Sequence, residues 1–201
     1  MDSITASKQK FFDDMAPQWD SCGKQEECEG QAEFVRRATE HSPAAILDAG
    51  CGTGVLVPHL RKLHPEAAIT ELDFSRAMLE VNKSKHSEEN IDYVCGSIED
   101  APLPTASFDA ILCFNALPHF NIKRALQHSA ELLKPQGRLA IGHLMSSAEL
   151  NGFHANVHGP VMHDHLPVAA EVSKMASNTG LTVLCAEERA GWYFILAEKI
   201  A

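Results

Sequence analysis

Apolar and polar positions divide the chain into three stretches. Between Ser7 and Asp20, the residues Phe11, Phe12, Met15 and Trp19 recur among polar neighbours, which predicts an amphipathic helix ending near Pro17. Gln25 to Thr39 predicts a second helix, with sparser apolar positions. From Ala44 the pattern changes. Short apolar runs at Ala45–Ala49, Ala68–Leu72, Ile91–Cys95, Phe108–Phe114 and Arg138–Leu144 read as strands. Helical patterns over Val55–His64, Ser75–Lys85 and Asn121–Leu133 fall between them, with Ser75 as an N-cap. Lys134-Pro135-Gln136-Gly137 reads as a helix stop, with Gly137 supplying the left-handed residue. This alternation predicts βαβ units and a parallel sheet.

The end of the chain breaks the rhythm. After helices at Ser147–Val157 and Pro167–Asn178, the strands Leu181–Ala186 and Trp192–Glu198 are joined only by Glu187–Gly191. That connection cannot hold a crossover helix, so the two strands are expected to form an antiparallel hairpin. The predicted class is α/β, a mostly parallel sheet closed by a terminal hairpin.

Composition narrows the partners. With 201 residues the chain is one ordinary domain, long enough to bury a core. Its formal charge of −10 disfavours DNA, RNA or an anionic membrane as main partner. The single adjacent arginine pair, Arg36-Arg37, reads as a solvated helix face. The six cysteines form no CxxC pair, no apolar signal core opens the chain, and no run approaches a membrane span. These features predict a cytoplasmic protein with reduced thiols.

The chemistry concentrates where the first strand turns into the first helix. Asp48-x-Gly50-x-Gly52-x-Gly54 lets the backbone turn sharply and approach a ligand closely. Asp73 ends the next strand 19 residues after Gly54, where Rossmann-like sites carry the acid that holds ribose hydroxyls. The spacing is GxGxG, not the GxGxxG that seats a pyrophosphate, and the Asp48 carboxylate would repel one. A ligand with an ammonium and a sulfonium suits it better, as in S-adenosylmethionine. A nicotinamide-dependent oxidoreductase is thereby disfavoured.

These residues resemble the class I methyltransferase family, particularly its type 11 group acting on small molecules, over roughly Phe11 to Gly142. Ile46 to Gly54, with Cys51 and Thr53 between the glycines, looks like the first motif. Leu72-Asp73-Phe74-Ser75-x-x-Met78-Leu79 looks like the second, whose acid holds the ribose and whose next residue flanks the adenine. Cys95 to Pro102 aligns with the segment at the adenine edge, where Ser97 replaces the usual Asp and Ile98 is placed to pack on the ring. Phe108 to Asn115 resembles the fourth strand, and Phe11-Phe12-Asp13-x-x-Ala16-x-x-Trp19-Asp20 the lid over the cofactor. The resemblance implies a Rossmann-like fold with seven strands, adenosylmethionine as cofactor, and methyl transfer by in-line displacement to a small-molecule acceptor. It implies a single domain, with residues 1–42 as lid helices, 43–145 as cofactor-binding core and 146–201 as substrate-side helices and hairpin.

The histidine-rich tail is not explained by that resemblance. Five of the 11 histidines lie between His143 and His165, and His119 follows the fourth strand. Asn151, His154 and His158 share one face of a predicted helix, and His163-Asp164-His165 follows in a loop. Three readings stay open: solvated polar residues, a substrate-facing cluster with one histidine as base, or a metal site in a metal-assisted methyltransferase. For a base, His119 is the first candidate and His154 the second. A regulatory protein that binds the cofactor without turnover is the remaining alternative.

Overall fold

In the computed structural model, which describes residues 3–22, 25–87, 90–157 and 159–200, the apolar runs become seven strands of one sheet. They are β1 (Ala45–Ala49), β2 (Ala68–Asp73), β3 (Ile91–Cys95), β4 (Phe108–Phe114), β5 (Leu133–His143), β6 (Leu181–Arg189) and β7 (Trp192–Lys199). Their order is β3-β2-β1-β4-β5-β7-β6; the first five are parallel, and β7 inserts antiparallel between β5 and β6. The helices are α1 (Ser3–Met15), α2 (Gln25–Ala38), α3 (Val57–Leu63), α4 (Arg76–Lys85), α5 (Ile122–Leu132), α6 (Ser147–Asn156) and α7 (Ala169–Ser177). A 3-10 segment, Ala16–Cys22, follows α1.

The central strands are buried on both faces, which is why they read as continuous apolar runs. On one face Ile46, Leu112 and Phe194 pack with Phe34 of α2 and Leu60 of α3. On the other, Leu47, Ile111 and Ile141 pack with Leu126 of α5 and Val172 of α7. Each fully buried side chain of this size contributes about 1.5–3 kcal/mol. The outer strand β6 exposes Glu187, Glu188 and Arg189 at its end, charges that discourage pairing with another edge.

Boundaries differ from expectation at β5 and at the hairpin. β5 starts at Leu133, ahead of the expected stop, and the left-handed residue there is Gln136 (φ 66°), not Gly137. Gly137 is needed for another reason: a Cβ would lie 2.9 Å from both the Lys134 and Phe108 carbonyl oxygens, where two backbones cross. The hairpin strands run on through Glu187–Arg189 and leave only residues 190–191 as the turn. Polar residues extend an edge strand as readily as they form a loop, so composition misplaced the end. The Glu188 carboxylate then accepts bonds from the Ser147 and Ala169 amides, holding the starts of both α6 and α7.

Candidate active site

Chain reversal after β1 is built on three glycines with positive φ, Gly50 (76°), Gly52 (53°) and Gly54 (81°). The Gly50 and Cys51 amides donate to the Leu72 carbonyl, so the loop is tied to the end of β2. The Gly52 amide donates to Asp73 Oδ2 (2.9 Å) and the Ser75 amide to Asp73 Oδ1 (2.8 Å). Two backbone donors therefore fix the carboxylate, and its remaining lone pairs are available to ribose hydroxyls. Burial lifts the Asp73 carboxyl to about 6, while the Ser75 and Gly52 amides pull it down. Gly52 tests the fit directly: a Cβ there would meet no protein atom within 4 Å, and the residue lines a cavity of about 480 Å³. Asp73, Phe74, Met78, Cys51 and Thr53 line the same cavity. A hollow beside a glycine cradle and a held acid suits adenosylmethionine.

Asp48 sits elsewhere than expected. It is buried on β1 directly beside Glu71 of β2 and does not line the cavity. Asn82 of α4 donates to Glu71 Oε2 (2.6 Å), but Asp48 Oδ2 and Glu71 Oε1 have no hydrogen-bond partner among the described residues. Burial pushes both carboxyls up, Asp48 far above the usual range and Glu71 to about 7, each helped by neighbouring acids. Gly54, Ser97 and Ile98 are also outside the cavity lining. Gly54 faces Asn82, Ser97 Oγ accepts from the Glu99 amide, and Ile98 is buried in the core.

The N-terminal segment closes the other side. Asp13 Oδ1 accepts from Ser75 Oγ (2.6 Å) and the Ala77 amide, and Gln9 donates to the Phe74 carbonyl. Asp20 accepts from Thr53 Oγ1 and pairs with Lys85, both at 2.6 Å. Phe12 sits at the centre, edge-to-face with His119 (5.0 Å), Phe74 (5.5 Å) and Trp19 (5.6 Å).

A second cavity of about 570 Å³ opens beyond β4 and β5. It shares Trp19, Asn115 and His119 with the first and adds His143, His154 and Phe153. Asn115 holds a left-handed backbone (φ 53°) at the end of β4, its amide donating to the Gly142 carbonyl and its Oδ1 accepting from the Leu144 amide. His119 lies in a short turn after β4 and shares a hydrogen bond of 2.6 Å between Nδ1 and Asp164 Oδ2. A carboxylate only accepts, so Nδ1 carries the proton and Nε2 is the basic nitrogen. Lys8 of α1 pairs with the other Asp164 oxygen. Burial lowers the His119 pKa, partly offset by the Asp164 bond and charge; burial takes His143 down to about 3. The hydrogen bonds from His119 and Lys8 outweigh burial at Asp164 and hold its carboxyl low.

The tail histidines thus separate. Asn151 clasps both backbone groups of Leu166, and His154 Nδ1 bonds the Asp164 carbonyl (2.8 Å), so this helix face grips the loop that carries Asp164. His163 and His165 are exposed, Asp164 between them is buried, and His158 lies outside the described residues. Among the described residues no three His, Cys, Asp or Glu side chains are placed to hold a metal ion. Asp164 and Lys85 stand at the site without having been singled out by the sequence, whereas Phe12 and Asp20 belong to the expected lid motif. For Asp164 the sequence offered only an acid set between two histidines.

Comparison with known proteins agrees with this geometry. Residues 47–141, about half the chain, match the methyltransferase domain model of the type 11 group. The chain is 40% identical over 101 residues to the malonyl-[acyl-carrier protein] O-methyltransferase of Priestia megaterium, covering 47% of this chain and 35% of that protein. It is 33% identical over 134 residues to the ubiquinone biosynthesis O-methyltransferase of Xanthomonas axonopodis pv. citri, covering 63% and 55%. The matched part thus spans between a third and just over half of these curated relatives. Among solved structures, geranyl diphosphate C-methyltransferase from Streptomyces coelicolor superposes with a TM-score of 0.72 at 12% identity, covering 86% of this chain and 76% of that one. The [4+2]-cyclase SpnF superposes with a TM-score of 0.78 at 15% identity, covering 96% and 95%. Likeness at such identity carries the fold alone, and the cyclase is a reminder that one fold hosts several reactions. The glycine loop, the acid that ends β2 and the sheet order agree with the domain match: residues 47–141 match a methyltransferase domain, and the chain has the Rossmann-like fold of the class I S-adenosylmethionine-dependent methyltransferases.

Proposed function

We propose that the chain methylates a small-molecule acceptor seated in the second cavity, with His119 as general base and Asp164 as the residue that positions it. The observation that carries this is the pair of cavities meeting at Trp19, Asn115 and His119, on the carboxyl ends of β1, β4 and β5. Strand order reverses between β1 and β4, and open α/β sheets bind their ligands at such a switch point. Asp73 and the Gly50–Thr53 backbone would hold adenosylmethionine, with Phe74 and Met78 beside its adenine. When bound, the cofactor supplies a methyl group on a sulfonium, already activated for displacement.

The chain's own contribution is then alignment and exclusion of water. Trp19 and Phe12, in edge-to-face contact beside the junction, would exclude water from it once both ligands are seated. His119, neutral at pH 7 because burial disfavours its charged form, is ready to accept a proton at Nε2. Asp164 keeps the proton on Nδ1 and faces the imidazolium once it forms. The names of both curated relatives support oxygen as the nucleophile.

Calorimetry with adenosylmethionine and its demethylated product, followed by transfer of labelled methyl to a panel of small hydroxyl, thiol and amine acceptors, tests the reading. Asp73→Ala is expected to abolish cofactor binding, whereas His119→Gln keeps it and lowers transfer by about 10²–10⁴-fold. Unaltered cofactor affinity in Asp73→Ala, or full transfer in His119→Gln, refutes the corresponding assignment.

A further inference from the structure

We infer that the second cavity takes an uncharged, largely apolar molecule that presents one hydroxyl of phenolic or enolic acidity; this rests on the methyl-transfer reading above. The walls carry the first part. Trp19, Leu144, Met145, Leu150, Phe153 and Trp192 line the cavity, and among the described residues no Lys, Arg, Asp or Glu does. A carboxylate, phosphate or ammonium brought into such walls loses its water and meets no counter-charge. The mouth carries the second part. Trp19, Met145 and Phe153 are 40, 40 and 56% exposed, among the few large hydrophobics left in solvent, and all three line this cavity. Their apolar surface runs outward from the pocket, which suits a ligand whose apolar body is longer than the hollow.

The polar groups carry the third part. They are the imidazoles of His119, His143 and His154 and the amide of Asn115. His119 has its Nδ1 committed to Asp164, so Nε2 is its one lone pair for an acceptor. An imidazole takes a proton from a phenol or enol far more readily than from an alkanol, because the two acidities are closer. In the step itself, the acceptor oxygen gives its proton to His119 Nε2 and forms a bond to the methyl carbon. The bond from that carbon to the cofactor sulfur breaks, with the electron pair remaining on sulfur. A methyl ether, an uncharged thioether and an imidazolium facing Asp164 result.

Both tryptophans of the chain line this cavity, so their fluorescence reports its occupancy without turnover. The wild-type chain, saturated with adenosylhomocysteine, would be titrated with phenol, 4-ethylphenol and 4-butylphenol, and with 4-hydroxybenzoate and tyramine as charged probes. Affinity is expected to rise about fourfold per added methylene, and the charged probes to bind at least tenfold more weakly than 4-ethylphenol. Phe153→Lys, at an exposed position on the mouth, should weaken 4-butylphenol and strengthen 4-hydroxybenzoate while leaving cofactor affinity by calorimetry unchanged. The inference is overturned if charged probes bind wild type as well as neutral ones, if affinity is flat with chain length, or if no probe alters the fluorescence. Failure of adenosylhomocysteine to bind at all would sink the cofactor reading beneath it. Intact cofactor binding with a charged preference would sink the acceptor class alone.

Discussion

Replacing Asp164 by Asn tests how the N-terminal helix and the proposed base are joined. The carboxylate is 6% exposed and accepts from Lys8 of α1 on one oxygen and from His119 Nδ1 on the other. Its partners are 16 and 15% exposed, so solvent screens neither bond strongly. A hydrogen bond to a charged group is worth about 1.5–3 kcal/mol, and Asn keeps one acceptor oxygen, so one such bond is lost. If His119 retains the oxygen, the Lys8 ammonium faces an amide N–H and α1 loosens. At about 1.4 kcal/mol per factor of ten, amides of α1 should exchange with solvent roughly 10–100-fold faster. Hydrogen exchange read by mass spectrometry on peptides spanning α1 measures this, and Lys8→Met should give a similar increase. The double variant should not add the two, because both remove the same ion pair. The imidazole gives an independent readout. Asp164 raises the His119 pKa against burial, so Asp164→Asn should move the acidic limb of its titration to lower pH. Unchanged α1 exchange, additive variants, or a wild-type His119 protonated on Nε2 in long-range nitrogen correlation spectra would refute the reasoning.

Other expectations follow from single features. Gly52→Ala combines a left-handed backbone with a methyl group projecting into open space beside the cavity. It should cost about 1–2 kcal/mol of stability in a denaturant melt and weaken adenosylmethionine measurably by calorimetry. Glu71 is a pH probe: burial raises its carboxyl from 4.5 to about 7, so its favourable protonated contribution is full below 4.5 and lost as pH rises through 7. Glu71→Gln should therefore stabilise the chain at pH 8, by on the order of 3 kcal/mol, and not at pH 4; a pH-independent difference would rule out the buried-charge account. Glu188→Ala removes the acceptor at the starts of α6 and α7, and should lower stability by about 1–2 kcal/mol. Circular dichroism melts of that variant that overlay wild type would show that these helix starts find other partners.

Local signals carried most of the fold. The strand ranges of β1, β3 and β4 and the Ser75 cap depend on a few consecutive side chains and stand where the pattern put them, and the terminal strands pair antiparallel as expected, with β6 three residues longer. The glycine loop was legible for the same reason: glycines with positive φ answer a demand made by the adjacent backbone, and Asp73 needs only to end the next strand. Asp48 lies outside the cavity lining, because its motif position says nothing about which way a strand residue faces. It sits beside Glu71 of β2, whose carboxylate accepts from Asn82 of α4.

Residue order alone, then, determined the sheet with its hairpin, the glycine cradle and the acid that closes β2, since each follows from φ preferences and apolar periodicity within a short window. Only the tertiary structure decided which histidines meet which partners. His119 and Asp164 stand 45 residues apart, and a loop gripped by Asn151 and His154 brings them together with Lys8 from the far end of the chain. Long-range packing sets such distances, and no local pattern encodes them. The same packing turned exposed Phe153 and buried His143 into walls of one cavity, making the candidate acceptor site a property of the folded chain.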